Sequence, residues 1–244
     1  MINYFKNIEY VDSISSTNKE LKKEKYNIYP SYVLIANHQT SGSGRMGRSF
    51  VSNKDAGLYM SIRIKPNIEI DKLQNITCVI ASITLKAIEN QINTKCFIKW
   101  VNDIYLNGLK VAGILVESKL NTQKKIFDYL VIGIGINLYN QDFDALSNIA
   151  TSIEKETKIK INKELLTQDI LKMLEEYLKD FDSVRLMDLY ISRSYLKGKQ
   201  VKLQLSNNII ECKVLDINHE GELIIKHQNE VKNVTSAEVI KVYL

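Results

Sequence analysis

The chain has 244 residues, of which 45% are hydrophobic, enough for one large folded domain with or without a small second one. Its net charge of +5 is spread along the sequence without a clustered basic stripe. This argues against a nucleic-acid-binding protein and favours an anionic small molecule or an acidic partner. No apolar run is long enough to span a membrane, and the N-terminus lacks the pattern of a signal peptide, so we expect a cytoplasmic protein.

The three cysteines are far apart in the sequence. Neither Cys78, Cys96 nor Cys212 shows the spacing to another cysteine or a histidine that a metal site requires. Free thiols in a reducing compartment account for them. We therefore expect no metal site built from protein side chains alone.

The first two thirds of the chain predict helices packed on a sheet. Thr17 and Glu20 have capping-box spacing, which predicts a helix from about residue 17 to residue 25. Asp71 is the predicted cap of a second helix, whose apolar residues recur every three or four positions as far as Ala87. Apolar or alternating runs predict strands at residues 32–37, 58–64, 97–100, 110–118 and 127–138. This pattern favours an α+β fold with a mixed, mostly antiparallel sheet.

The last third of the chain has a different pattern. Asn162 or Thr157 begins a predicted helix, whose wide apolar stripe extends to about Phe181 and should pack on the sheet. Beyond Gly198, short strands are predicted at residues 201–205, 209–217, 222–227, 231–234 and 239–243. Such closely spaced strands indicate a small β-barrel. We therefore expect one domain at residues 1–195 and a second at residues 196–244.

Residues 42–48, here called the glycine loop, are the first candidate binding element. Gly42, Gly44 and Gly47 leave backbone amides open to close approach, while Arg45 and Arg48 add positive charge. These groups suit a triphosphate or a phosphoanhydride. The loop is not a Walker A motif, and no predicted helix follows it as in a dinucleotide fingerprint. On spacing alone, a surface loop with ordinary arginines is an open alternative.

Two further elements stand out against apolar surroundings. Lys110 opens an otherwise apolar strand, where a phosphate or carboxylate ligand would explain its charge. Asn102 and Asp103 lie at the preceding turn, and simple turn formation is an open alternative for both. Gly133 and Gly135 clear one face of a strand, which fits either a flat ligand or a crowded sheet contact.

Taken together, these elements resemble the catalytic domain of the biotin protein ligases, with four motifs in the same order. Residues 16–18 are similar to the family's Ser-Thr-Asn element, and Gln39 with the glycine loop to its Gln and GRGRxGR motif. Residues 99–117 are similar to KWPNDxY and K[VL]AGILVE, and residues 133–137 to GxGxN. The resemblance covers roughly residues 13–138. It implies a class II synthetase-like core followed by an SH3-like barrel.

The resemblance also implies a role for each matching residue. The implied biotin-binding residues are Ser16, Thr17, Asn18, Gln39, Gly42, Ser43, Gly44, Arg45, Lys110, Gly113, Leu115, Gly133 and Gly135. The implied ATP-binding residues are Arg45, Arg48, Phe50, Asn102, Lys110 and Asn137. The implied catalytic residues are Lys110, Arg45, Arg48 and Asp103. Mg²⁺ would enter with ATP, and Asp103 would be its candidate protein ligand.

Three positions depart from the family pattern. Ser43 stands in place of the first arginine of the loop, and we expect it to weaken retention of the reaction intermediate. Val101 replaces a proline and frees the backbone of the turn. Phe50 replaces a tryptophan and can still stack on adenine. Because Arg45 and Arg48 are present, we expect activity.

The implied function is an ATP-dependent ligase that forms biotinyl-5′-AMP and transfers biotin to a lysine of a biotin carboxyl carrier protein. The alternatives are a lipoate-type acyl ligase and a catalytically weak biotin-binding homologue. A biotin-sensing repressor would need a DNA-binding unit before residues 16–18, where only about a dozen residues stand, so no DNA partner is expected. The resemblance leaves a homodimer open.

Overall fold

Seven strands form one mixed sheet in the computed structural model, which describes residues 4–66, 68–139, 143, 146–206 and 208–243. They are β1 (Ile8–Ile14), β2 (Ser31–Gln39), β3 (Gly57–Ile64), β4 (Phe97–Lys99), β5 (Asp103–Leu106), β6 (Leu109–Asn121) and β7 (Ile126–Asn137). The order across the sheet is β1-β2-β3-β7-β6-β5-β4. Only the β1–β2 pair of named strands is parallel, and the other pairs are antiparallel. The predicted α+β class is therefore confirmed.

Helices cover both faces of this sheet. The described α-helices are α1 (Thr17–Leu21), α2 (Ile76–Glu89), α3 (Ile153–Thr157), α4 (Lys163–Asp180) and α5 (Val184–Ser192). Helix α2 contacts β6, α4 and α5, and it is buried along most of its length because apolar residues surround it. Helix α1 packs on β2, β3 and β7. Within the described residues, no helix is long and apolar enough to cross a membrane.

Of two predicted helix starts, one is wrong and the other is confirmed. Helix α2 begins at Ile76 with Asn75 at its N-cap, not at Asp71, because a separate 3₁₀ turn (Ile70–Leu73) places Leu73 in the core. Helix α4 begins after Asn162, whose side chain accepts a hydrogen bond from the Leu165 amide, as one of the two predicted starts requires.

Helix α1 begins at Thr17 as predicted, but it is shorter than predicted and its cap differs. Its N-cap is Ser16, whose hydroxyl accepts a hydrogen bond from the Lys19 amide at 3.4 Å. Glu20 does not complete a capping box, because its carboxylate pairs with Lys23 and Lys25 at 2.6 and 2.8 Å. The helix ends at Leu21, and a 3₁₀ turn (Glu24–Ile28) replaces the predicted continuation.

A second sheet lies at the C-terminus of the chain. Its strands are β8 (Gln200–Gln204), β9 (Ile209–Ile217), β10 (Leu223–His227), β11 (Glu230–Val234) and β12 (Glu238–Tyr243). The order is β11-β10-β9-β8-β12, and every pair is antiparallel, as a small SH3-like unit requires. The sheet is attached to the first part of the chain where Trp100 Nε1 donates to Gly221 O at 2.9 Å and Asn75 Nδ2 donates to His219 O at 2.9 Å.

Candidate functional site

A cleft of about 1000 Å³, part of it open to solvent, lies between the large sheet, the glycine loop and the start of β12. Most of the residues singled out in the sequence line this cleft. They are Ser16, Thr17, Asn18, Gln39, Ser43, Gly44, Arg45, Arg48, Phe50, Asn102, Asp103, Lys110, Gly113, Leu115, Gly133 and Gly135. The fold thus brings together motifs that are up to 119 positions apart, from residue 16 to residue 135.

One end of the cleft is built from amides and hydroxyls at the start of α1. Gln39 Oε1 accepts hydrogen bonds from Thr17 N at 2.9 Å and from Thr17 Oγ1 at 3.1 Å. Gln39 Nε2 donates to Ser52 Oγ at 2.9 Å. Because each end of the Gln39 carboxamide has its own partner, its orientation is fixed before any ligand binds.

Asn18 belongs to the same end, where it is buried and held from two sides. Its Nδ2 donates to Glu117 Oε2 at 3.0 Å, and its Oδ1 accepts from Ser61 Oγ at 2.5 Å. Burial opposes ionisation of Glu117, but hydrogen bonds from Lys22 and Asn18 hold the pKa of its carboxyl below the ordinary value. Glu117 is thus an acceptor at neutral pH and keeps Asn18 in place.

Glycines in β7 make room for these side chains. A Cβ on Gly133 would lie 2.9 Å from Asn18 Cγ and 3.0 Å from its Nδ2. A Cβ on Gly135 would lie 2.6 Å from two carbons of the Phe50 ring. Gly133 and Gly135 therefore do form crowded contacts, one of the two alternatives for these glycines. Their partners, Asn18 and Phe50, also line the cleft.

The glycine loop turns back on itself beside this sheet. Ser43 and Ser49 form an antiparallel bridge, and the chain reverses between them through Met46 and Gly47, whose φ angles of 54° and 74° are left-handed. Gly42 does not line the cleft, because it packs against the start of the returning chain: its carbonyl accepts from Phe50 N at 2.9 Å. Gly42 therefore shapes the loop and does not face the cleft.

The other end of the cleft is cationic. Its described lining includes Arg45, Arg48, Lys99 and Lys110, and among the described residues only Asp103 and Glu238 bring carboxylates to it. Four positive charges against two negative ones leave a net positive surface suited to phosphates. Burial, aided by the nearby Lys110 and Arg48, lowers the pKa of Lys99, although Asp103 opposes this.

Several of these charged groups have defined partners. Lys110 Nζ lies 2.6 Å from Asp103 Oδ1, and Arg45 Nη1 donates to Asn102 Oδ1 at 3.3 Å. Asn102 is itself tied to β6, since its Nδ2 donates to Ile114 O and its carbonyl accepts from Ile114 N, both at 2.9 Å. The turn that precedes it contains a cis Trp100–Val101 peptide bond. Asn102 and Asp103 are therefore more than turn formers, because both side chains line the cleft.

The structure differs from the sequence interpretation at two kinds of position. Asn137 does not line the cleft, and its Nδ2 donates to Thr151 O at 3.1 Å. Conversely, the cleft includes Lys99, Trp100 and the residues at 237–239, none of which was assigned a role. Lys99 ends a short strand that is otherwise apolar, and a charged residue in such a run is the same kind of signal that Lys110 gives. Glu238 gave no signal, because a charged residue in a short C-terminal strand is usually solvated.

Glu238 forms an ion pair with Arg48 and so links the C-terminal sheet to the glycine loop. Arg48 is two-thirds exposed, so the pair should contribute at most about 1 kcal/mol and should be screened by salt. We predict that Glu238→Gln speeds amide hydrogen exchange in residues 42–48 by about fivefold or less. Added salt should speed this exchange in the wild type and leave the variant unchanged.

Asp216→Asn is the matched control for this prediction. It removes another carboxylate of the C-terminal sheet, which pairs with Lys197 at 2.5 Å and does not line the cleft. Exchange in the glycine loop should be unaffected by this change. Equal exchange rates in the wild type and Glu238→Gln at low salt would show that the ion pair does not order the loop.

Proteins that are similar to this chain in sequence and in fold include biotin ligases. Residues 10–137 match the model of the Biotin/lipoate A/B protein ligase family, and residues 197–242 match the Biotin protein ligase C terminal domain. The bifunctional ligase/repressor BirA of Bacillus subtilis is 33% identical over 239 residues, which cover 94% of this chain and 72% of that protein. The biotin–[acetyl-CoA-carboxylase] ligase of Mycobacterium tuberculosis is 24% identical over 215 residues, covering 85% and 78% of the two chains.

A solved structure agrees with these sequence matches. The biotin protein ligase from Aquifex aeolicus in complex with biotin and ATP superposes with a TM-score of 0.80 at 28% identity, covering 95% of this chain and 97% of that one. The family model matches over half of the chain, and the C-terminal domain model accounts for most of the remaining strands. The chain therefore belongs to the biotin protein ligase family.

Proposed function

We propose that this chain is an ATP-dependent biotin ligase that forms biotinyl-5′-AMP and transfers the biotin to a lysine of a biotin carboxyl carrier protein. The observation that carries the proposal is the continuous cleft with two chemically different ends. One end offers fixed amides and hydroxyls, and the other offers four cationic side chains. A ligand that is a neutral urea at one end and an adenylate at the other matches both, and the family membership supports this assignment.

The biotin end is the part of the cleft around α1 and the β7 glycines. Thr17, Asn18 and Gln39 would hydrogen-bond the ureido group, since their side chains line the cleft and are held in place by neighbouring groups. Gly133 and Gly135 would accept the flat bicyclic ring. In this arrangement the biotin carboxylate points toward Arg45 and Lys110, because these residues line the other end of the same cleft.

The first step joins the two substrates. A carboxylate oxygen of biotin attacks the α-phosphorus of ATP, and the bond from that phosphorus to the bridging oxygen breaks, releasing pyrophosphate. No protein nucleophile is needed. Lys110, Arg45 and Arg48 would neutralise the charge that develops on the phosphate oxygens and hold two anions in line, which are the main sources of catalysis in such reactions.

Mg²⁺ would bind at this site mainly through the phosphates of ATP. No group of three or more metal-ligating side chains occurs among the residues that the structure describes, so the protein supplies few ligands. A phosphate-bound magnesium ion needs only one or two carboxylates, and Asp103 would supply one, since it lines the cationic end. When bound, the ion would offset negative charge on the triphosphate.

The second step consumes the adenylate. The amine of the carrier lysine attacks the acyl carbon, the acyl–phosphate bond breaks and AMP leaves, while the amine loses a proton. Asp103 is our proposed acceptor of that proton, because its carboxylate lies in the cleft 2.6 Å from Lys110 Nζ. The described cysteines are free and buried, which supports our placing the reaction in the reducing cytoplasm.

The proposed function predicts a mass gain on a carrier. The protein is incubated with biotin, MgATP and a biotin-carrier domain, and the intact carrier is weighed by mass spectrometry. We expect one biotinyl group per carrier, no product without ATP, and no product on a carrier whose acceptor lysine is replaced by arginine. Lipoate in place of biotin tests the lipoate-ligase alternative. An unmodified carrier at saturating substrates, with pyrophosphate release also absent, would exclude the ligase assignment.

A further inference from the structure

Arg63 is a fully buried arginine, and none of the described residues pairs a carboxylate with it. It lies in β3 and is only 1% exposed. Its Nη1 donates to Leu21 O at 2.6 Å and its Nη2 to Asn27 Oδ1 at 2.5 Å. The guanidinium also lies over the Tyr129 ring, 3.8 Å from its centre. A buried charge is costly. All the hydrogen-bond acceptors of this guanidinium belong to one segment, residues 21–27, which indicates that Arg63 has a specific structural role there.

The segment that Arg63 contacts is the C-terminal end of α1 and the 3₁₀ turn that follows it. A five-residue helix such as α1 is not stable by itself in water, and its last carbonyls have no partners within the helix. Arg63 supplies donors to one of these carbonyls, that of Leu21. Arg63 thus fastens the far end of α1 to the sheet.

The opposite end of α1 is fastened by Ser61, two residues earlier on the same face of β3. Ser61 Oγ lies 2.7 Å from Thr17 Oγ1 and 2.5 Å from Asn18 Oδ1, and it is fully buried. Thr17 and Asn18 are the residues that line the biotin end of the cleft. One strand therefore holds both ends of the helix that presents them.

We propose that Arg63 is a positioning residue for biotin, which acts by clamping α1 against β3 so that Thr17 and Asn18 keep their places in the cleft. The proposal rests on the proposed function for its ligand. Arg63 does not line the cleft, so it acts through α1 and not by contact with a substrate. Its loss should weaken biotin binding selectively, because the cationic end of the cleft is carried by other elements.

The first test compares Arg63→Met with Arg63→Lys. Methionine fills the buried space without donors, so we expect faster amide hydrogen exchange across residues 17–28 and about a tenfold higher KM for biotin. The KM for ATP and the kcat should stay within about twofold. Lysine keeps the charge and can reach one of the carbonyls, so Arg63→Lys should recover part of both effects.

Arg193→Met is the matched control. Arg193 pairs with Glu89 at 3.1 Å and is also largely buried; it adjoins the edge strand β4, whereas α1 packs on β2, β3 and β7. This change should lower stability without altering the KM for biotin. If Arg63→Met does not fold, Asn27→Ala removes one partner of the guanidinium from an exposed position and should shift both readouts in the same direction, by less.

The outcomes separate this proposal from the proposed function. Equal increases in the KM for biotin and for ATP, or unchanged exchange across residues 17–28, would overturn the clamp. A wild-type protein that biotinylates no carrier would refute the proposed function, while the exchange measurement would still decide whether Arg63 orders α1.

Discussion

Replacing Lys110 with alanine will slow formation of the adenylate by about a thousandfold or more. Removing one preorganised charge-stabilising group typically costs two to three orders of magnitude in kcat, and here the group lost carries a full charge. The backbone around Lys110 is held on both sides, since its N donates to Ile149 O and its O accepts from Thr151 N, both at 2.9 Å. The ammonium group is therefore placed in the cleft by a rigid strand. Biotin-dependent pyrophosphate release, measured with MgATP and without a carrier, isolates this step.

Two further variants decide how Lys110 acts. Its loss leaves the Asp103 carboxylate without its 2.6 Å partner, and that carboxylate could itself repel phosphate. If repulsion is the cause, adding Asp103→Asn to Lys110→Ala will restore most of the rate; we expect little recovery. Lys119→Ala, at an exposed position of the same strand, is the control and should behave as the wild type. Near-normal pyrophosphate release by Lys110→Ala would show that the role assigned to Lys110 is wrong.

The central strands could be predicted because their signal is local. Residues 32–37 and 127–138 are largely apolar runs; the first lies inside β2, and all of the second except residue 138 lies inside β7. Strand β1 was missed, because none of its residues is fully buried and its sequence mixes charged with apolar residues. The sequence pattern does not predict strand β5, and it places the first residue of that strand, Asp103, in a turn. The strand has only four residues and follows β4 after three residues. Helix α5 was missed as well.

The features that could not be predicted from the sequence, such as the burial of Arg63 and its partners, depend on contacts between segments that are distant in the chain. Apolar and polar residues alternate at positions 58–64, which predicts a strand with one solvent-exposed face. Every residue of β3 is nevertheless buried, because α1 covers the second face of the sheet. Arg63 therefore resembled a surface residue and is instead part of the core. Glu238 lies 190 positions from Arg48, from residue 48 to residue 238, and only the docking of the C-terminal sheet brings them together.

The binding motifs are predictable in part: less well than the central strands, but better than the contacts between distant segments. Their letters pointed to a family, and the family implied one shared cleft, but no pattern within the chain states which side chains meet. The structure supplies that information for Gly133, which opposes Asn18 of α1. It also separates Gly42 and Asn137 from the residues that line the cleft. Motif membership alone thus cannot tell a residue that shapes a loop from one that faces the ligand.

Replacing Gly133 with alanine will abolish tight biotin binding, lowering the affinity by about a hundredfold or more. The added Cβ would lie 2.9 Å from Asn18 Cγ, closer than packed carbon atoms approach. Asn18 cannot move aside freely, because Ser61 and Glu117 hold its two carboxamide atoms. Overpacking of this kind costs about 1–3 kcal/mol in stability, so the protein should still fold. Titration calorimetry with biotin measures the affinity, and denaturant unfolding measures the stability.

The double variant Gly133→Ala with Asn18→Ala tests the steric explanation. Shortening Asn18 removes the atoms that the new methyl group meets, so the lost stability should return. Biotin binding should not return, because Asn18 is itself one of the proposed ligands of the ureido group. Gly113→Ala supplies a comparison in the same cleft. Its Cβ would lie 3.2 Å from the flexible end of Lys110 and 3.5 Å from Asp103 Oδ1, both less crowded than the contact at Gly133, so we expect a smaller loss of affinity. Wild-type affinity in Gly133→Ala would mean that biotin does not lie against this strand, because a methyl group on its cleared face would otherwise displace either the ligand or Asn18.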